Sequence, residues 1–239
     1  MTPENAQDTD SKDLSTLSVL NTVIQIENIK TESNDRVLEI KEFNPTVNKG
    51  IYIMGENQHS VSQYVLSVEK GGKVEDIEVF AKCITNNEKA IIEQEAYRRC
   101  TEAEIPSLEL LCSIPTHLGT FNITRTENYL IPYSRLKIYS IEQYQSMLDN
   151  GLLAIDQIHQ IGIQHRDTLT RNLAVLSNKT FVSLIFDFET ALLSPKGVPL
   201  THKQKTQDRE TFFQSLFFQL VKQNPNDKEL IRLAEEIKF

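Results

Sequence analysis

The chain has 239 residues, of which 39% are hydrophobic and 24% charged, with eight Gly and eight Pro, a profile that allows a substantial buried core and excludes a fibrous or low-complexity protein. Its 33 acidic side chains outnumber 25 basic ones, and the net charge of −8 argues against nucleic acid as a partner. Cys83, Cys100 and Cys112 are odd in number and lack the paired spacing of a zinc site or disulfide framework, which points to a reducing interior.

Residues 1–14 are polar and acidic and read as a disordered tail. They have no basic region followed by an apolar run, and no apolar stretch of the chain reaches membrane-span length. The expectation is a soluble, intracellular protein, cytoplasmic or nuclear, with no membrane partner.

Residues 15–84 read as short strands. VIQIENI, RVLEIKEF, GIYIMG, SQYVLSVEK and EVFAKCI carry β-branched or aromatic residues near period two and predict an antiparallel sheet. Lys70-Gly71-Gly72-Lys73 supplies turn chemistry between the last two, so these form a hairpin. The period then changes. Residues 87–100 predict a helix with Asn86 or Asn87 as N-cap and Ile91, Ile92, Ala96 and Tyr97 on its apolar face.

FNITR and NYLIPY follow as a second strand pair, and residues 140–161 form the longest helical pattern, ended by Gly162. LAVL and FVSLIF, joined by Ser177-Asn178-Lys179-Thr180, predict a further hairpin. A loop with Pro195, Gly197 and Pro199 leads to an aromatic helix opened by Asp208, with Phe212, Phe213, Leu216, Phe217 and Leu220 near its inner face. A short helix after Pro225 closes the chain.

The chemistry concentrates at HRDTLTRN. Asp167 falls just past a helix, Asn172 enters the first strand of a hairpin, and the second strand runs into Asp187, so three oxygen-bearing side chains share one hairpin end. Phosphoryl transfer needs a carboxylate near the acceptor hydroxyl, oxygen ligands for Mg²⁺ and a cation on the nucleotide phosphates.

The order helix, His165-Arg166-Asp167, Asn172, strand, turn, strand, Asp187-Phe188 resembles the catalytic loop and metal motif of the protein-kinase-like superfamily. That resemblance implies an α+β, two-lobed fold over residues 15–239. A β-rich N-lobe with one helix would span about 15–133, and a reduced, mainly α-helical C-lobe about 134–239. It also implies ATP and Mg²⁺ as cofactors. Asp167 would accept the proton of the substrate hydroxyl, while Asn172 and Asp187 would hold the metal.

Val79-Phe80-Ala81-Lys82 resembles the strand whose lysine contacts the phosphates, and Glu93 or Glu95 would pair with it, Glu93 being preferred. Pro132 and Ser134 would form the hinge, with the Ser134 N–H bonding the adenine. Asp208 resembles the buried aspartate that supports the catalytic loop, or else is a charge at a helix N-terminus.

Two features depart from the family. The glycine loop keeps Gly55 only, and Glu189 stands where the metal motif usually has glycine. The chain is similar in this to small atypical members such as the RIO type, the lipopolysaccharide kinases and the kinase of the KEOPS complex. The expected activity is phosphoryl transfer from ATP to a protein hydroxyl, Ser/Thr rather than Tyr. The alternatives are a pseudokinase scaffold that binds a partner, and a small-molecule kinase.

Overall fold

The computed structural model describes residues 39–44, 52–53, 60–70, 73–116, 119–125, 130–176 and 182–237, with side chains from residue 79 onward other than those of Ile114 and Thr116. Gly55, the tail at 1–14 and the strand expected at 23–29 lie outside the described residues. Among the described residues the chain is mixed α/β, with small sheets and four helices, and it divides into two compact units between Lys82 and Cys83.

In the first unit, β1 (Glu39–Asn44), β2 (Tyr52–Ile53) and β4 (Lys73–Ile84, whose last two residues enter the second unit) all pair antiparallel with β3 (Ser60–Lys70). Lys70 lies opposite Lys73, which is the hairpin register that two intervening glycines predict.

The second unit opens with α1 (Asn87–Glu102). Asn86 is its N-cap, the side chain accepting from the Lys89 N–H at 3.1 Å. Its buried face differs from the expected one. Ala90, Glu93, Ala96, Tyr97 and Cys100 point inward, whereas Ile91 is 62% exposed.

β5 (Leu110–Thr116), which the sequence reading does not anticipate, pairs with β6 (Gly119–Arg125), Thr116 lying opposite Gly119. Its Pro115 hides the strand in the sequence, yet proline is tolerated where no ladder N–H is needed, and this one is exposed. The expected pairing of FNITR with NYLIPY is therefore corrected. β7 (Leu130–Pro132) pairs instead with β9 (Leu173–Leu176), which also pairs with β10 (Ser183–Ile185) to give the order β10-β9-β7. The hairpin expected from LAVL and FVSLIF forms. A small two-stranded sheet joins β8 (Ile163–Gln164) to β11 (Leu192–Leu193).

Helix α2 (Ile141–Gln160) is capped by Ser140, whose hydroxyl accepts from the Gln143 N–H, and the chain leaves it through Gly162 at φ +75°. Its Tyr144, Leu148, Ile155 and Ile158 are fully buried, each of the three aliphatic side chains contributing about 1.5–3 kcal/mol of transfer free energy. Gly151 permits the close approach of the next helix. A methyl group there would lie 2.1 Å from the Phe212 ring.

That next helix, α3 (His202–Gln223), begins six residues before Asp208, so the expectation that Asp208 opens it is corrected. The real start is a capping box, with Thr201 and Gln204 exchanging side-chain and backbone hydrogen bonds. Amphipathic α4 (Lys228–Glu235) follows and buries Leu230 and Ala234.

Candidate functional site

The segment between α2 and β9 is held from beneath by a single carboxylate. Asp208 is 0% exposed in the interior of α3, where its Oδ2 accepts from the His165 N–H at 2.7 Å and pairs with the His159 ring at 2.9 Å. Its Oδ1 accepts from the Arg166 N–H at 2.8 Å. The backbone carbonyl of the same residue receives the Thr168 hydroxyl. Of the two roles open for Asp208, the buried support of the loop is the one observed.

These bonds fix a backbone that non-glycine residues seldom adopt. Arg166 sits at φ 69° and so does Asp187, a left-handed conformation that costs of order 1–3 kcal/mol unless the surroundings impose it. Such strain tends to collect where side chains must be aimed.

His165 is buried between these points. Its Nε2–H donates to the Phe186 carbonyl at 2.9 Å while Nδ1 accepts from the Asp167 N–H at 3.3 Å, so both partners select the same neutral tautomer. Burial lowers its pKa below the ordinary histidine value of 6.5, against the raising effect of the Phe186 carbonyl and the nearby aspartates. In the unfolded chain this histidine binds a proton below about pH 6.5, and in the folded chain it resists doing so. Stability is therefore lost as the pH falls through 6.5. From pH 7 to 5.5 the wild type should lose stability that a His165→Gln variant keeps, which urea unfolding at both pH values will measure.

At the hairpin end, the Phe186 N–H donates to the Asn172 carbonyl at 3.1 Å, and Leu173 faces Ile185 across the ladder. Asn172 and Asp187 thus flank the same end of one hairpin. Asn172 is 0% exposed, and its Nδ2 donates to both the backbone carbonyl and Oδ2 of Asp167 at 2.9 Å. Its Oδ1 is buried and has no hydrogen-bond partner. A buried carbonyl oxygen left in this state costs about 1–3 kcal/mol, and a hard cation such as Mg²⁺ is a ligand that would satisfy it.

Asp167 keeps about a quarter of its side chain exposed, 28%, and Arg171 donates to its Oδ2 at 2.9 Å. Both of these contacts fall on Oδ2 rather than Oδ1.

The Asp187 N–H donates to the Tyr97 hydroxyl at 3.3 Å, and the Tyr97 ring meets Phe188 edge-on at 5.2 Å. Phe188 also packs on His165 at 5.1 Å, so the motif's aromatic residue links α1 to the loop. Glu189 lies 3.9 Å from Lys89 of α1. This places its carboxylate at the outer limit of an ion pair with that helix.

On α1 the two candidate glutamates separate. Glu93 is buried and accepts from Asn122 at 2.8 Å, whereas Glu95 lies on the outer face between Arg98 and Arg99. The Arg98 guanidinium above all holds the Glu95 carboxyl at about 2. Lys82 lies in β4, its backbone opposite Val61.

Pro132 lies opposite Ala174 in the β7–β9 ladder, and the turn Tyr133–Arg135 that follows directs the Ser134 N–H to the Thr170 carbonyl at 3.0 Å. That N–H is engaged within the protein in this conformation.

The sequence alone marks neither the contact of Asn122 with Glu93 nor that of Tyr97 with Asp187. Tyr97 was placed on the inner face of its helix, but only the fold brings its hydroxyl to the Asp187 backbone. Among the described residues no three His, Cys, Asp or Glu side chains cluster to hold a metal, so a cation here would draw on Asn172 as well as an acid. No helix among them is long and apolar enough to cross a membrane.

No family model and no curated protein sequence matches the chain. Among solved structures it is similar to one described as WaaP in complex with acyl carrier protein, with a TM-score of 0.48 and 14% identity, over 77% of this chain and 85% of that one. A likeness at this level fixes neither an activity nor a partner.

Proposed function

We propose that the chain is a small phosphotransferase of protein-kinase-like type, a two-lobed fold reduced in its C-terminal part, transferring the γ-phosphoryl group of ATP to a protein hydroxyl, Ser/Thr rather than Tyr. The observation that carries this reading is the buried Asn172 Oδ1 without a hydrogen-bond partner, at a hairpin end shared with Asp187 and beside Asp167. Asn172 and Asp187 would hold Mg²⁺. Bound Mg·ATP supplies the transferable phosphoryl group and neutralises charge on its oxygens.

In this reading Asp167 accepts the acceptor proton at Oδ1, and Asn172 and Arg171 orient it through Oδ2. Buried Glu93, rather than Glu95, serves the phosphate lysine. Lys82 and Gly55 enter from their sequence motifs alone, and Pro132 offers its carbonyl to the adenine.

A second reading, a nucleotide-binding pseudokinase, is favoured by Glu189 in place of glycine and by the engaged Ser134 N–H. Thermal shift with Mg·ATP tests the common core of both. At a hundred times Kd, ligand should stabilise the wild type by about 2.7 kcal/mol. Asn172→Ala and Asp187→Ala should remove most of that gain. An equal gain in all three proteins sinks the assignment, and a shift without phosphate transfer selects the pseudokinase.

A further inference from the structure

We propose that Asn122 is a positioning residue that sets the Glu93 carboxylate for nucleotide binding, an inference that rests on the phosphotransferase reading. Glu93 and Asn122 are each 1% exposed, one on α1 and the other on β6, and the Asn122 amide donates to Glu93 Oε2 at 2.8 Å. A carboxylate removed from water costs several kcal/mol unless donors meet it, so this contact has a large say in where Glu93 rests.

The amide cannot turn over. Asn122 Oδ1 accepts from Ser113 Oγ at 2.8 Å and from Gln94 Nε2 at 3.1 Å. Two donors on the carbonyl end force the NH₂ end toward Glu93. The network also accounts for the rotation of α1, which turns Glu93 inward while Ile91 stays in solvent. A second tie, Thr120 Oγ1 to Asn87 Oδ1 at 3.3 Å, joins the same strand and helix without touching Glu93.

The two ties separate positioning from plain support. Asn122→Asp keeps shape but sets a second carboxylate against Glu93, and the Kd for Mg·ATP, measured by calorimetric titration of the full chain, should rise about tenfold or more. Ser113→Ala loosens the amide and should raise Kd about threefold. Thr120→Val should change the unfolding midpoint but not Kd. A folded Asn122→Asp protein with wild-type Kd overturns the proposal, as does an equal Kd change from Thr120→Val. If Asn122→Asp does not fold, an unchanged Kd in Ser113→Ala overturns it instead. Failure of the parent reading looks different, since the wild type itself then shows no binding that Asn172→Ala abolishes.

Discussion

Asp208→Ala is expected to lower the unfolding free energy by about 3–5 kcal/mol, because it strands three donors at once, two of them fully buried. Those donors are the N–H groups of His165 and Arg166 and the ring of His159, all within 2.9 Å of the carboxylate. Small domains are stable by only about 5–15 kcal/mol, so the variant should sit near the edge of folding, read as a fall in the urea midpoint. Asp208→Asn should cost less. Its single carbonyl oxygen still accepts, but whichever way the amide lies, its NH₂ meets at least one donor, a mismatch worth about 1–3 kcal/mol.

The loop should respond before the whole domain does. Arg166 holds its left-handed backbone because Asp208 receives its N–H and that of its neighbour. Without those bonds the strain has no opposing term, and the amides at 165–167 should exchange hydrogen much faster in Asp208→Asn than in the wild type. Equal exchange rates would show that the loop is held by other contacts.

Asp208 also marks the limit of what the sequence disclosed. Its likeness to a buried loop support was legible, but its position was not, because THKQKTQ is too polar to announce a helix that starts at His202. The capping box Thr201 to Gln204 was the available signal. The order from His165 to Asp187 was readable since it depends on local turns and one hairpin. The partner of β7 was not, because nothing in NYLIPY states that its neighbour lies some forty residues on. Likewise, hydrophobic periodicity placed Ile91 inside α1, whereas the polar network at Asn122 draws Glu93 there instead.

Asp167→Asn is expected to reduce phosphate transfer by about 10²–10⁴-fold while leaving Mg·ATP affinity within a factor of about two, since a lost general base affects the proton step and not the phosphates. Asparagine preserves the shape and one carbonyl acceptor for the Asn172 and Arg171 donors, so the loop geometry should survive. Single-turnover transfer with labelled ATP, alongside calorimetric Kd, gives both numbers. A variant that transfers as fast as the wild type removes Asp167 from the chemistry, and one that also loses affinity shows that its carboxylate was holding Asn172 in place for the metal. Arg171→Ala sharpens the distinction. It frees Oδ2 of one donor without removing the base, so it should slow transfer by much less than Asp167→Asn does.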